Sequence, residues 1–303
     1  MKTIAVSGAS GFIGRWFLKL HSGQYQFVAL TRRTGGNIPR ADGAVETVQT
    51  DYSAATLPGI LKGCDAFVHL AAKKVEPGRP ETFENYADNP VLTERLLTAC
   101  RESGIPNFVN MSSRCVYGQN NTLPFDESQL IEPINMYGVS KAAGECICEY
   151  CNRFFGMNAK SLRLSQVVGD LDGGASMFNV FVKNAANGRE LNVFGKSKGK
   201  RDYIYVKDVC RAIALSIERP EKKGVYNIAS GAGVSSMELA EAVCAAFGND
   251  GNIRSLPDKP EDESAICLDT KKAQRALSFA CEFSLEETLL DLKEMIASGE
   301  MKF

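Results

Sequence analysis

Short β-rich runs alternate with helical stretches through the first half of this chain: TIAVSG, GRWFLKLHS, FVALTRR, DAFVHLAA, NPVLTERLLTACRESG and FVNMSS follow one another. Strands separated by helices pair in parallel through crossover connections rather than through hairpins. Val6, Val28, Phe67, Val68 and Val109 sit in near-continuous apolar runs, as strands covered on both faces require. The pattern therefore predicts an α/β fold with a doubly wound parallel sheet. MYGVSKAAGECICEYCNRFFG continues as a long helix whose apolar stripe is Ala143, Ile147, Cys151 and Phe154, and SLRLSQVV reads as one more buried strand. Beyond Gly169 the texture changes to DLDGGAS, a helical MFNVFVKNAANG, a basic KSKGKRDYIYV and shorter helices. The expected organisation is a first lobe over residues 1–168 and a smaller α/β lobe over 169–303, with about 204–228 returning to the first.

Composition narrows the function class. Apolar content of 44%, charged content of 23% and a net charge of −1 argue against disorder and against a nucleic-acid footprint. KTIAVS follows Met1 without a signal-like apolar stretch, and no apolar run approaches the ~20 residues that span a bilayer. A cytoplasmic protein with no membrane partner is expected, and its ten cysteines should be reduced. Cys146, Cys148 and Cys151 form the one cluster, but a helix disperses them and their spacing fits no zinc motif, so no metal is expected.

Gly8, Gly11 and Gly14 lie between the first strand and the first helix, with Phe12 and Ile13 inside the turn. In such a sequence the first glycine permits a tight turn, the second lets backbone approach a pyrophosphate and the third lets helix pack on sheet. The helix amides and their positive end then attract the anion. A dinucleotide is the expected ligand. NAD-binding versions place a carboxylate at the end of the second strand, whereas this strand ends Leu30-Thr31-Arg32-Arg33. Thr31 followed by cations favours NADP(H) over NAD(H), Arg32 being the expected 2′-phosphate partner and Arg33 its fallback; two solvated surface arginines are the other reading. Asp51 and Tyr52 read equally as adenine-edge contacts or as a loop.

Tyr137 and Lys141 are four apart at the start of the long helix, hence on one face. A phenol of pKa about 10 is only ~0.1% ionised at neutral pH, so acid/base work there needs nearby positive charge. With these residues in view, the chain resembles the extended short-chain dehydrogenase/reductase family, in its nucleotide-sugar epimerase and dehydratase branch. GASGFIG, HLAA, Asn89, SSRCVYG, YGVSK, RDYIYVKDV and LDTKKAQRALSF stand in the family's order nearly end to end.

The resemblance implies a Rossmann dinucleotide domain and roles for particular residues. Tyr137 is the implied acid/base, Lys141 the residue that holds the nicotinamide ribose and lowers the tyrosine pKa, and Ser113 the hydrogen-bond partner of the reacting oxygen. Leu70, Ala71, Ala72, Lys74 and Asn89 would border the cofactor, while His69 reads as structural. Arg201 would clamp a nucleotide diphosphate. Gln166 and Lys259 stand where family members carry asparagine and arginine, and are the other implied substrate contacts. Dehydratases of the family carry an acidic pair directly after the catalytic serine or threonine; Arg114-Cys115 stands there instead. That leaves a nucleotide-sugar 4-epimerase working through a transient 4-keto sugar and hydride exchange with NAD(P), or an NADPH-dependent 4-ketoreductase. A non-catalytic NADP(H)-binding redox sensor is the remote alternative. The family implies a homodimer formed through the tyrosine-bearing helix.

Overall fold

The computed structural model describes residues 1–32, 37–40, 43–75, 78, 80–169 and 176–301. Its first half is built from β1 (Lys2–Ser7), α1 (Phe12–Leu20), β2 (Tyr25–Thr31), β3 (Asn37–Arg40), β4 (Gly43–Gln49), α2 (Leu57–Leu61), β5 (Ala66–His69), α3 (Asp88–Glu102), β6 (Asn107–Ser113), α4 (Met136–Phe155) and β7 (Asn158–Leu164). There follow β8 (Gln166–Val168), α5 (Met177–Ala186), β9 (Leu191–Phe194), β10 (Lys200–Tyr205), α6 (Val206–Ile217), β11 (Gly224–Ile228), β12 (Gly233–Ser235), α7 (Ser236–Phe247), β13 (Ile253–Leu256), α8 (Lys271–Leu277) and α9 (Leu285–Ala297).

The large sheet has the order β11-β7-β6-β5-β1-β2-β4-β3. Its strands run parallel except β3, which pairs antiparallel with β4 at the edge. Apolar runs form these central strands because both faces are covered. Ile4 and Val6 face one core with α1 and α6, while Ala5 faces the other with α2 and α3. Val68 and Phe67, and likewise Val109 and Phe108, divide in the same way. Period-two alternation of side chains thus lets successive apolar positions fill both cores. The remaining strands form a three-stranded sheet, β12-β10-β8, and a two-stranded pair, β13-β9. Among the described residues no helix is long and apolar enough to cross a membrane, and all ten cysteines are free thiols.

Two features fix the helix that carries Tyr137. Asn135 caps α4 by accepting the Gly138 amide at 2.7 Å, and Gly156, at φ +66°, closes its far end in the left-handed conformation glycine favours. Deeper in, Glu145 of α4 meets Arg163 of β7. The two side chains are almost wholly buried and paired through one guanidinium edge, Nε and Nη2 donating to the two carboxylate oxygens at 2.9 and 2.7 Å. Arg163 also donates to the Tyr117 hydroxyl at 2.8 Å, which donates in turn to Asn227 of β11 at 2.7 Å. One polar network thereby ties α4 to two strands of the sheet.

Candidate active site

A cavity of about 710 Å³ runs along the carboxyl ends of the central strands. Strand order reverses between β1 and β5, and the crevice at such a switch point is where open α/β sheets bind ligands. At one end lies the turn from β1 into α1. Gly8 has φ +72°, and a Cβ there would stand 2.6 Å from the Ala71 amide nitrogen. A Cβ on Gly14 would stand 2.6 Å from the Ala9 carbonyl oxygen. No side chain caps the start of α1, so its amides are left for an incoming group. The turn therefore fits a dinucleotide pyrophosphate, which needs bare amides with no side chain in the way.

Ser113, Tyr137 and Lys141 line the opposite end. Gly138 backs onto the Cys115 carbonyl too closely to tolerate a Cβ, and this contact brings Tyr137 into hydrogen-bonding range of Ser113. Lys141, one turn on, donates to the Met111 carbonyl at 2.7 Å, its Nζ 5.6 Å from the Tyr137 ring centre. Asn89 locks the neighbouring loop to this helix: it accepts the Lys73 amide at 2.8 Å and donates to the Lys73 carbonyl at 3.1 Å and to Ser140 at 3.0 Å.

Burial raises the Tyr137 phenol well above its usual range, Cys115 adds to the rise and the Ser113 hydrogen bond opposes it. Burial also lowers Lys141 to about 8, against the pull of Glu145, Cys115 and Cys148. The depression of Tyr137 expected from Lys141 is thus not produced by the chain alone: desolvation dominates, and the group that opposes it is Ser113. The protein's own groups keep Tyr137 a protonated acid. His69 is buried with Nδ1 2.8 Å from the Ser7 hydroxyl, and desolvation holds it down at about 3, so it is a neutral tether between β5 and β1.

A sequence description of the NAD dependent epimerase/dehydratase family matches residues 4–229. The chain belongs to the NAD-dependent epimerase/dehydratase family. It is similar over 98% of its length to the UDP-N-acetylglucosamine 4-epimerase of Bacillus cereus, covering 99% of that chain at 29% identity with a TM-score of 0.87. It also resembles the UDP-glucose 4-epimerase of Thermotoga maritima solved with UDP-glucose, at 26% identity and TM-score 0.86, with 98% and 99% of the two chains covered. A dTDP-glucose 4,6-dehydratase from Streptomyces venezuelae, solved with NAD, is similar at 25% identity and TM-score 0.82 over 99% of each chain. The chain is an enzyme of this nucleotide-sugar epimerase and oxidoreductase type.

In this epimerase/dehydratase-family chain the cavity gathers most of the residues singled out in the sequence. Gly8, Gly11, Phe12, Ile13, Gly14, Thr31, Arg32, Tyr52, Leu70, Ala71, Ala72, Lys74, Asn89, Ser113, Tyr137 and Lys141 line it. Arg32 stands 5.6 Å over the Tyr52 ring, while Arg33 lies outside the described residues. Four residues lie elsewhere. Asp51 accepts the Ser53 amide at 2.9 Å and the Thr56 hydroxyl at 3.0 Å, organising the loop before α2. Gln166 alternates with the two lining residues Ser165 and Val167. Arg201 is held by Asp262 at 2.5 Å and by the Ser264 carbonyl, and Lys259 is exposed. Leu30, Met111, Ser112, Leu164 and Ser165 also line the cavity and were not anticipated. Their common signal is position: each sits at or just past the carboxyl end of a central strand.

Proposed function

We propose that the chain is a nucleotide-sugar 4-epimerase that works through a transient 4-keto sugar. What carries this reading is the convergence of Tyr137, Ser113 and Lys141 on a cavity that begins at the glycine turn, with no carboxylate at positions 114 and 115 to drive dehydration. Tyr137 takes the proton of the sugar 4-hydroxyl and returns it to the oxygen after the ring has turned over. Ser113 holds that oxygen, and Lys141 holds the nicotinamide ribose. A bound oxidised nicotinamide supplies the hydride acceptor and a positive charge beside the phenol. Gly8, Gly11 and Gly14 would hold its pyrophosphate, with Lys74 nearby.

The second reading, a 4-ketoreductase that consumes NADPH, is favoured by Arg32. The family description and the Streptomyces structure name NAD, yet β2 itself ends in Thr31 and Arg32 with no carboxylate, and the cavity's Asp88, carried by α3, is paired with Lys73 at 2.7 Å. We propose that Arg32 meets a 2′-phosphate, so that NADP is preferred. Loss of one charge-assisted contact corresponds to ~1–3 kcal/mol, or about 5- to 150-fold in affinity. One experiment separates the readings. The purified protein is denatured and its released nucleotide identified, and the native protein is incubated with UDP-sugars without added cofactor. Turnover with retained oxidised cofactor supports the epimerase; turnover that stops unless NADPH is supplied supports the reductase. Thr31→Asp with Arg32→Ser should shift the measured preference toward NAD, and no shift would make Arg32 a mere surface charge.

A homodimer is the proposed assembly. On α4, Tyr150, Phe154 and Phe155 are 54%, 58% and 45% exposed, the Tyr150 ring in contact with each of the other two. Tyr150→Glu with Phe154→Glu should convert a dimer to a monomer in light scattering after size exclusion. A wild-type monomer at micromolar concentration would refute this assembly.

A further inference from the structure

Ser165 stands where the chain leaves the large sheet. Leu164 ends β7 and Gln166 begins β8, and between them the Ser165 amide donates to the Ile228 carbonyl of β11 at 3.1 Å, which pins the backbone. The residue lines the cavity and is only 5% exposed, and among the described residues its hydroxyl has no hydrogen-bond partner. Buried polar atoms are nearly always paired, so an orphan hydroxyl on a cavity wall marks where a ligand completes the bonding. Leu164 is the register partner of Ser113, so Ser165 belongs to the end of the cavity that holds Ser113, Tyr137 and Lys141. The other polar side chains there are taken. Ser112 donates to Glu145, Ser113 bonds Tyr137 and accepts the Cys115 amide at 3.2 Å, and Lys141 donates to the Met111 carbonyl at 2.7 Å.

We propose that the Ser165 hydroxyl binds the carboxamide of the nicotinamide ring and holds that ring in one rotation about its bond to the ribose. This rests on the dinucleotide reading above. In that reading the order of the strands sets the order of the ligand's parts. The β2 end carries Arg32 for the adenosine ribose, the turn after β1 takes the pyrophosphate, and Lys141, bonded to β6 through the Met111 carbonyl, takes the second ribose. The next strand outward is β7, so the ring beyond that ribose reaches Ser165. Met111, Leu164 and Val167 line the cavity too and offer apolar contact to a flat ring. A carboxamide is neutral and both donates and accepts, and a serine hydroxyl does the same. Ser113 and Tyr137 serve the reacting sugar oxygen, which leaves Ser165 for the one polar group that the ring carries.

The test is an exchange equilibrium on the protein as purified. It is incubated with mixtures of NAD, ADP-ribose and the 3-acetylpyridine analogue of NAD over a series of concentrations, and the amount of each that is bound is read after denaturation. The NADP series is run beside it, so the result does not depend on Arg32. Ser165→Ala should lower the preference for the dinucleotide over ADP-ribose, which lacks the ring, by about 2- to 10-fold, the range of one neutral hydrogen bond. Ser165→Cys keeps the volume but bonds weakly, and should fall between Ala and wild type. The acetylpyridine analogue carries a methyl group in place of the amide nitrogen. If its binding falls with that of NAD, the hydroxyl donates to the carbonyl; if it does not, the hydroxyl accepts from the amide, and both results support the contact. Thermal melts of the two variants check that folding is intact. A preference unmoved in both variants overturns the proposal, and if UDP-glucose affinity has fallen instead, the hydroxyl serves the sugar. An equal loss for all three nucleotides also overturns it, by making Ser165 a packing residue. Wild type that takes up none of them sinks the dinucleotide reading itself, an outcome distinct from an unmoved preference.

Discussion

Tyr137→Phe should lower turnover by about 10²- to 10⁴-fold while leaving cofactor and sugar affinity close to wild type. Only one oxygen is removed, and the ring keeps its edge-on contact with Tyr86 at 6.1 Å, so the cavity wall should survive. The loss falls on the proton transfer alone. The chain's own groups leave the phenol protonated, since burial and Cys115 raise its pKa and the Ser113 bond opposes them. Ser113→Ala should therefore push Tyr137 further from ionisation and move the acid limb of the turnover profile, where the phenol gains the charge it needs to take a proton, to higher pH. Steady-state rates and direct titrations of cofactor and sugar would separate the two effects. Near-normal turnover in Tyr137→Phe on the true substrate would remove the tyrosine from the mechanism, and parallel losses in binding and turnover would make it a packing residue.

How far the sequence discloses this site depends on which part of a residue does the work. The glycine turn was legible because its function lies in what glycine lacks: a Cβ at Gly8 or Gly14 would collide with backbone, and that constraint appears directly as residue type. Tyr137 and Lys141 were legible because helical spacing puts them on one face and YGVSK stands in the order of the family's motifs. The alternation of apolar runs likewise disclosed a parallel sheet, for its cause, burial of both faces, acts residue by residue. Met111 was not legible. Its contribution is a backbone carbonyl holding Lys141, which any side chain would serve equally. Arg201 and Asp51 carried suitable chemistry in a suitable order, but their partners Asp262 and Thr56 come from loops whose approach no periodicity encodes.

Arg163→Met should be the most destabilising single change considered, at about 3–5 kcal/mol, because it strands the Glu145 carboxylate in the core. Arg163 is 2% exposed, and without it Glu145 keeps, among the described residues, only the Ser112 hydroxyl as a side-chain hydrogen-bond donor. Removing both charges is a different matter. Desolvating an ion pair offsets most of its mutual attraction, so Arg163→Met with Glu145→Gln should recover most of the loss in a denaturant titration. A double variant as unstable as the single one would mean that the Tyr117 and Asn227 links, rather than charge, hold α4 to the sheet. Stability is not the pair's only effect. Burial sets Lys141 at about 8, and Glu145 is the foremost group holding it up. Glu145→Gln removes that support, so the folded double variant should have Lys141 lose its proton at a lower pH than wild type. Since the charged form disappears as pH rises through the folded pKa, cofactor affinity should begin to fall below pH 8 in the double variant and near it in wild type. Coincident affinity profiles would show that Glu145 serves the fold alone. An earlier fall in a variant of restored stability would explain why a costly buried ion pair sits one helical turn behind Lys141: it keeps that lysine charged.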